Sequence, residues 1–333
     1  MNAATLHRAL PRPVVRALRH AVPPRARMRF SPMPPWRVSV WTGTSPIELP
    51  LQLDRAQPVF DEDELAAHRL RAIADPFAVH RDGLWHLFVE AIGVDDLRGR
   101  IGLATSADLE HWRYRGIVLA EPFHLSYPLV FEAGGEMVMI PESSADGTVR
   151  LYRADPFPTR WRFDRILLTG APFKDATVFA HEGRWWLLAE TSRRHTNDQL
   201  RLWWADRIEG PWEEHAASPL IDGDPALARP AGRPLVLDGR LLRLAQDCSA
   251  SYGARVLGVE LIELSGARVD QRLPAIEVAA PTHRDAWARG GIHHLDLHRL
   301  TSASHDGTTS STAIQPDWVG FLDGRPALGH TVS

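Results

Sequence analysis

Asp75-Pro-Phe-Ala-Val-His-Arg-Asp-Gly-Leu-Trp-His-Leu-Phe-Val-Glu90 reads as two short strands folded about Asp82-Gly83. That dipeptide suits the positive φ angles of a two-residue hairpin turn. Because the turn lies midway, Asp75 and Glu90 are expected to face each other across the hairpin's open end. The pattern returns from Tyr127 to Glu142 about Gly134-Gly135, and from Asp175 to Glu190 about Glu182-Gly183. In each copy the second turn glycine stands eight residues after the first member and seven before the closing Glu. A fourth copy turns at Asp238-Gly239 and carries Gln246 in place of the Glu. The chain contains an internal repeat.

A third strand follows each of the first three hairpins, in Arg100–Thr105, Val149–Arg153 and Leu200–Trp204, and each leads to a tryptophan, Trp112, Trp161 or Trp212. A fourth strand follows in Arg115–Leu119 and Arg165–Leu168, with a less regular counterpart in Ser218–Ile221. Four strands per unit at a period of roughly fifty residues is the signature of propeller blades. The recurring Trp is expected to pack between blades, since it buries so much apolar area. The fourth unit, from Arg229, is stretched by Tyr252–Leu264 and Ala267–Val278. A fifth begins at Gly290-Gly-Ile-His-His-Leu-Asp296 and ends near Trp318–Leu322, with Thr301–Ser311 as a polar loop. Asp61–Arg71 is read as a short helix leading into the first repeat. The alternating strand Trp36–Trp41 is expected to pair into the last blade, because closing the ring removes exposed edges. The predicted fold class is therefore all-β, a five-bladed β-propeller of four-stranded antiparallel blades over residues 36–333.

Composition sets outer bounds. With 333 residues, 44% of them hydrophobic and 12 Trp, the chain can bury a sizeable core in one all-β domain. A formal net charge of −3 provides no broad field to attract nucleic acid or an anionic membrane. Lys174 is the only lysine, and Cys248, the only cysteine, excludes an intrachain disulfide and a cysteine zinc site. Residues 1–35 carry Arg8, Arg12, Arg16, Arg19, Arg25, Arg27 and Arg29 among Pro and Ala with no acid. They are expected to be a disordered leader, or to precede a true start at Met28 or Met33; the alternative is a basic arm touching anionic lipid. No apolar run there is long enough for a secretory signal or a membrane span, so the expected compartment is the cytoplasm.

Inner strands of a propeller surround one axis, so their equivalent ends converge. Those ends hold Asp75, Tyr127, Asp175, Arg229 and His293, and the neighbouring strand adds Glu90, Glu142, Glu190, Gln246 and Asp247. A small mouth lined by several carboxylates is costly, since like charges repel and raise one another's pKa. It is a candidate site for acid–base chemistry on a polyhydroxylated ligand. A repeated acid at a strand end has a structural reading too, bonding backbone amides of the next blade. That reading is set first for the closing Glu90, Glu142 and Glu190, and the functional one first for Asp75 and Asp175. His293, His294 and Asp296 are read equally as ligand-facing groups or as core polar groups. No zinc-binding, phosphate-loop or dinucleotide pattern occurs.

Ala74-Asp75-Pro76-Phe77, Phe173-Lys174-Asp175-Ala176-Thr177, Ala228-Arg229-Pro230-Ala231-Gly232 and Gly291-Ile292-His293-His294-Leu295 occur in that order. Over about residues 70 to 300, the chain resembles the propeller region found N-terminal in plant glucosamine inositolphosphorylceramide transferases and alone in bacterial proteins. That region looks like a distant relative of the five-bladed arabinanase, xylosidase and invertase-type glycoside hydrolases. The resemblance puts Asp75 in the place of the hydrolases' base or nucleophile, and Asp175 in that of the acid that tunes their proton donor. It puts His293 at an axial histidine that sometimes stands beside bound calcium, which implies no certain cofactor but allows a divalent cation near His293. The departure is Arg229-Pro230, where the hydrolases offer a general-acid Glu. Glu142 or Glu190 would have to substitute, at a separation set by the stereochemistry of hydrolysis.

An axial Arg suits an anionic group, such as the phosphate of a sugar nucleotide. The expected function is a glycosyltransferase-type enzyme of glycan or glycolipid assembly. Asp75, Asp175, Glu142 and Glu190 are the candidate catalytic residues, with Asp75 activating the acceptor hydroxyl. Arg229, Tyr127, Gln246, Asp247, His293 and His294 are the candidate residues for holding a carbohydrate or sugar nucleotide. The alternatives are a glycoside hydrolase and a noncatalytic glycan-binding module guiding a separate partner glycosyltransferase.

Overall fold

The four hairpin dipeptides turn as their composition demands. Asp82 and Gly83 have φ of 53° and 73°, Gly134 and Gly135 61° and 81°, Glu182 and Gly183 48° and 77°, and Asp238 and Gly239 50° and 75°. Two successive positive φ angles match the right-handed twist of the flanking strands, which is why these turns join tight hairpins. The computed structural model describes residues 35–193, 196–280, 287–300 and 316–327, the side chains of 274–276 excepted. The expected leader, except Pro35, and the expected polar loop Thr301–Ser311 lie outside the described residues.

The described strands form five antiparallel sheets around one axis. Blade 1 comprises, from the axis outward, Leu70–Arg81, Leu84–Gly93, Gly99–Ser106 and Arg113–Leu119. Blade 2 comprises Ser126–Ala133, Glu136–Ser143, Thr148–Ala154 and Trp161–Thr169. Blade 3 comprises Lys174–His181, Arg184–Glu190 and Gln199–Ala205, with its outer edge split into Glu213–Glu214 and Ile221–Asp222. In blade 4 the inner strand is split into Arg229–Pro230 and Leu235–Leu237, followed by Arg240–Asp247, Arg255–Leu264 and Val269–Ala279. Blade 5 joins the two ends of the chain: Leu295–Arg299 and Trp318–Gly324 are completed by Arg37–Gly43 and Gln57–Pro58. The N-terminal strand thus pairs with Trp318–Gly324 and closes the ring, as expected from the removal of exposed edges.

The recurring tryptophans fix one blade against the one before it. Each donates its indole N–H to a nearby carbonyl, Trp112 to Leu109, Trp161 to Pro158 and Trp212 to Ile208. Their rings then reach the preceding blade: Trp112 packs edge-on to Phe321 and Trp161 to Phe88. The helix is shorter than the expected Asp61–Arg71. It runs over Glu62–Ala67 behind a capping box of Asp61 and Glu64, and stops because Leu70 already opens the first inner strand. No helix among the described residues is long and apolar enough to cross a membrane.

One register detail differs from the expectation. Asp75 does not face Glu90. Ala74 does, and the ladder skips to the pair Phe77–Phe88, so Asp75-Pro76 forms a bulge. The same happens beside Ser126–Glu142 and Lys174–Glu190. In each bulge the first residue is left-handed, with φ of 50° at Asp75, 45° at Tyr127 and 50° at Asp175. Blade 4 has no such bulge at this point, because Arg229 pairs directly with Gln246. Arg229 therefore stands in the register of Lys174, one step from that of Asp175.

Candidate functional site

The bulges turn the first-member amides out of their own ladders and towards the preceding blade. The amide of Asp75 donates to Asp323 Oδ2 at 3.0 Å, that of Tyr127 to Asp75 Oδ2 at 3.1 Å, and that of Asp175 to Glu142 Oε2 at 3.0 Å. A chain of carboxylate–amide bonds thus runs from blade 5 through blade 3. It brings Asp75, Asp175, Arg229 and His293 to one end of the axis, around a mouth whose side chains are nearly all buried.

His293 lies between two carboxylates. Its Nε2 is 3.1 Å from Asp75 Oδ1 and its Nδ1 is 2.8 Å from Asp323 Oδ1. Burial alone would favour the neutral ring, but the two acids outweigh it and raise the histidine to about 10. Burial would likewise raise Asp75, yet the hydrogen bond and charge of His293 hold it down at about 2. Asp75, His293 and Asp323 each offer one ligand atom within 4.8 Å of the others, the geometry of a cation site. A cation there would take His293 as a neutral imidazole, so it would bind in competition with the proton that the ring otherwise holds between the two acids.

Asp175 has a different environment. Its two oxygens accept from Arg229, from Nε at 2.5 Å and from Nη2 at 3.4 Å. The guanidinium also donates to Asn197 Oδ1 at 3.1 Å, lies 3.7 Å from Glu142 Oε2, and stacks 5.1 Å from the ring of Tyr252. Burial raises Asp175, Arg229 pulls it back, and the charges of Glu142 and Asp75 raise it again, leaving the carboxyl at about 7. Arg229 keeps 12% of its side chain exposed, so its guanidinium remains partly open to solvent at the mouth. Tyr252, 40% exposed, covers it from the loop after Asp247.

The remaining predicted residues separate by what they touch. Glu90 Oε1 lies 2.9 Å from Nε2 of His124, a half-exposed side chain at the rim; burial raises the Glu90 carboxyl and His124 lowers it. Glu142 also accepts from Ser144 Oγ at 2.6 Å. Glu190 is fully buried, pairs with Lys174 Nζ at 2.6 Å and accepts the Ser192 amide. Tyr127 turns its hydroxyl away from the mouth, within 2.7 Å of Thr177 Oγ1, and accepts the Gly232 amide. Gln246 donates to the carbonyl of His293. Asp247 accepts from Ser249 and Arg255, and so anchors the loop that carries Tyr252. The His294 ring lies deeper, between the rings of Phe77 and Tyr127, its pKa lowered by burial and neither ring nitrogen meeting a hydrogen-bond partner.

Sequence reading missed several contributors, Asn197 beside Arg229 and His124 beside Glu90 among them. Asp323 occupies the closing position of blade 5, where blades 1 to 3 carry Glu. Its signal was that position, obscured by the long insertion between the two inner strands of the blade. Arg233 fills the axis below the mouth, donating to Asp296 Oδ1 at 3.0 Å and to the carbonyl of Val130. Asp296 also receives the Ala78 amide, which makes it a strut between blades. Trp36 packs 4.0 Å from the His293 ring, and Tyr252 lies 5.3 Å from it. No repeat position marks Arg233, Trp36 or Tyr252.

The family described as glucosamine inositolphosphorylceramide transferase 1, N-terminal, matches residues 34–309. The glucosamine inositolphosphorylceramide transferase 1 of Oryza sativa subsp. japonica is 32% identical over 309 residues, covering 87% of this chain and 40% of that protein. That of Arabidopsis thaliana is 33% identical over 267 residues, covering 78% of this chain and 34% of that protein. The chain thus spans less than half the length of these curated relatives. Among solved structures, an α-L-arabinofuranosidase of Podospora anserina in complex with cellotriose superposes with a TM-score of 0.54 at 13% identity, over 89% of this chain and 100% of that one. A family 117 glycoside hydrolase of Zobellia galactanivorans superposes with a TM-score of 0.51 at 14% identity, over 88% and 92%. At those identities the likeness is one of fold.

Proposed function

We propose, for a chain that belongs to the glucosamine inositolphosphorylceramide transferase N-terminal family, that the axial mouth is the sugar-handling site of a glycosyltransferase-type enzyme in glycan or glycolipid assembly. The curated relatives bear such an activity in their names. The observation that carries the reading is the state of Asp175, a buried carboxyl held at about 7 beside Arg229 and Glu142. A group that titrates near neutrality can take a proton from an acceptor hydroxyl, the property a general base requires. Asp75 is less suited to that step. Its pKa of about 2 makes it a weak base, and its two oxygens are engaged by the Tyr127 amide and by His293.

In the proposed step the acceptor O–H bond breaks and its proton passes to Asp175. The acceptor oxygen bonds to the anomeric carbon while the bond from that carbon to the donor's phosphate oxygen breaks. Arg229, partly open to solvent at the mouth, offsets the charge gathering on the departing phosphate. Glu142 keeps the pair aligned through its bond to the Asp175 amide. The test is donor-dependent glycoside formation by the purified chain, with sugar nucleotides as donors and inositol phospholipid as acceptor. Asp175→Asn is expected to lower turnover by about 10² or more while the fold is kept. Equal turnover in wild type and Asp175→Asn would overturn the assignment.

A second reading is supported by the closure of the same cluster. Asp75 is committed to His293 and the Tyr127 amide, Arg229 clamps Asp175 and lies 3.7 Å from Glu142, and Glu190 is paired with Lys174. On that reading the propeller is a glycan-binding module that guides a separate transferase. Saturable sugar binding without turnover by any donor would decide in its favour.

A further inference from the structure

Beyond the mouth, an open cleft of about 590 Å³ separates the outer part of blade 2 from blade 3. This lies within the roughly 300–1,000 Å³ range of small-molecule sites. One wall is the end of the outer strand of blade 2, at Thr169, and the turn that follows it. The opposite wall comes from the segment after Glu190 and from the third strand of blade 3, and Thr191, Ser192 and Gln199 line it, the Thr191 hydroxyl donating to Gln199 Oε1 at 3.0 Å. Phe173 and Trp203, in edge-on contact at 5.6 Å and almost wholly covered, form its apolar base.

Two features give the cleft a chemical character. Its charged lining balances, Arg193 and Arg201 against Asp198 and Glu214. A cleft with no excess of positive charge offers little to a phosphate and more to a neutral ligand rich in hydroxyls. Arg193 reaches across to the Gly170 carbonyl at 3.0 Å, and Arg201 leaves its Nε without a hydrogen-bond partner. Hydroxyl, amide and carboxylate groups over an apolar base match the hydrogen-bonding edges of a sugar.

The cleft is also joined to the axis. Asn197, in the segment that forms the inner wall, accepts from Arg229 Nη1 at 3.1 Å, while its own amide donates to Ser192 Oγ at 3.1 Å. Thr196 and Asp198 on either side of it line the cleft. One short segment therefore touches the axial guanidinium and walls the cleft.

We propose that this cleft is a second carbohydrate subsite, which holds the neutral extension of a glycan whose terminal sugar occupies the axial mouth. The inference rests on the sugar-handling reading above, and the experiment separates the two. A glycan array of neutral and amino-sugar oligosaccharides identifies a bound trisaccharide. Calorimetry then compares it with its terminal monosaccharide on wild type, Thr169→Trp, Arg201→Ala and Arg229→Lys. Thr169→Trp, which fills the cleft from an exposed strand end, is expected to weaken the trisaccharide by about tenfold or more and to leave the monosaccharide unchanged. Arg201→Ala is expected to act in the same direction, and it decides the matter if Thr169→Trp loses its melting transition. Trisaccharide binding that both cleft variants retain but Arg229→Lys weakens would overturn the cleft and leave the axial reading standing. Binding of no array glycan by wild type would refute both.

Discussion

His293 is the residue on which the closure of the ring depends electrostatically, and His293→Gln tests that directly. Glutamine keeps much of the volume but removes the cation between Asp75 and Asp323, leaving two buried carboxylates that face each other. Breaking a buried ion pair by removing one partner costs on the order of 3–5 kcal/mol. At about 2 °C per kcal/mol for a domain of this size, the melting temperature should fall by roughly 6–10 °C near neutral pH. The pH dependence is more diagnostic. His293 is raised from 6.5 to about 10, so its contribution is complete below about pH 6.5 and is lost as pH rises through 10. Asp75 is lowered from 3.8 to about 2, so its contribution is present above 3.8 and is lost as pH falls through 2. With His293 gone, the alkaline decline should shrink, and mild acid should stabilise the variant by protonating an acid that has lost its counter-charge. Circular-dichroism melts of both proteins across this range provide the measurement. A variant that melts within about 2 °C of wild type at neutral pH, with the same alkaline decline, would refute the imidazolium bridge.

Two further substitutions test the scaffold that presents the site. Gly83→Val places a β-branched residue at φ 73°, and should cost roughly 1 kcal/mol or more through the turn alone; an unchanged denaturation midpoint would remove that turn from the argument. Lys174→Met leaves Glu190 buried without its cation and should cost on the order of 3–5 kcal/mol, most of it recovered when Glu190→Gln is added. A double variant no more stable than Lys174→Met would show that the loss comes from packing.

The turns were legible in the sequence because a backbone requirement maps onto residue type. Two successive positive φ angles favour a second-position Gly, usually behind Gly or Asp, and the spacing of those dipeptides marked four of the five blades. The convergence of Asp75, Asp175, Arg229 and His293 followed from topology once the blades were counted. The side-chain partners did not follow. Arg229 was aligned with Asp75 by motif, whereas the hydrogen-bond register aligns it with Ala74 and Lys174. That one-residue difference is invisible without the ladder, because the bulges are made by Asp and Tyr rather than by glycine. Asp323 was hidden for another reason: the insertion in blade 5 breaks the spacing that marks the closing position elsewhere.

The bulges also explain which acid is left for chemistry. A left-handed non-glycine residue costs on the order of 1–3 kcal/mol, and Asp75, Tyr127 and Asp175 each adopt that conformation. Each turns its amide to a carboxylate of the preceding blade, and a hydrogen bond to a charged group returns about 1.5–3 kcal/mol. The two magnitudes are comparable, so the strain is sustained where a neighbouring acid is present to meet the amide. Asp323, Asp75 and Glu142 are the acids that do so, which gives them a scaffold role whatever else they do. Asp175 is the next acid in that chain, and it has no amide to receive, because blade 4 meets it with Arg229 in regular ladder geometry instead of a left-handed residue. Its carboxyl bonds instead to a partly exposed guanidinium and sits at about 7. The break in the repeat at Arg229 thus releases Asp175 from the architecture that holds its counterparts.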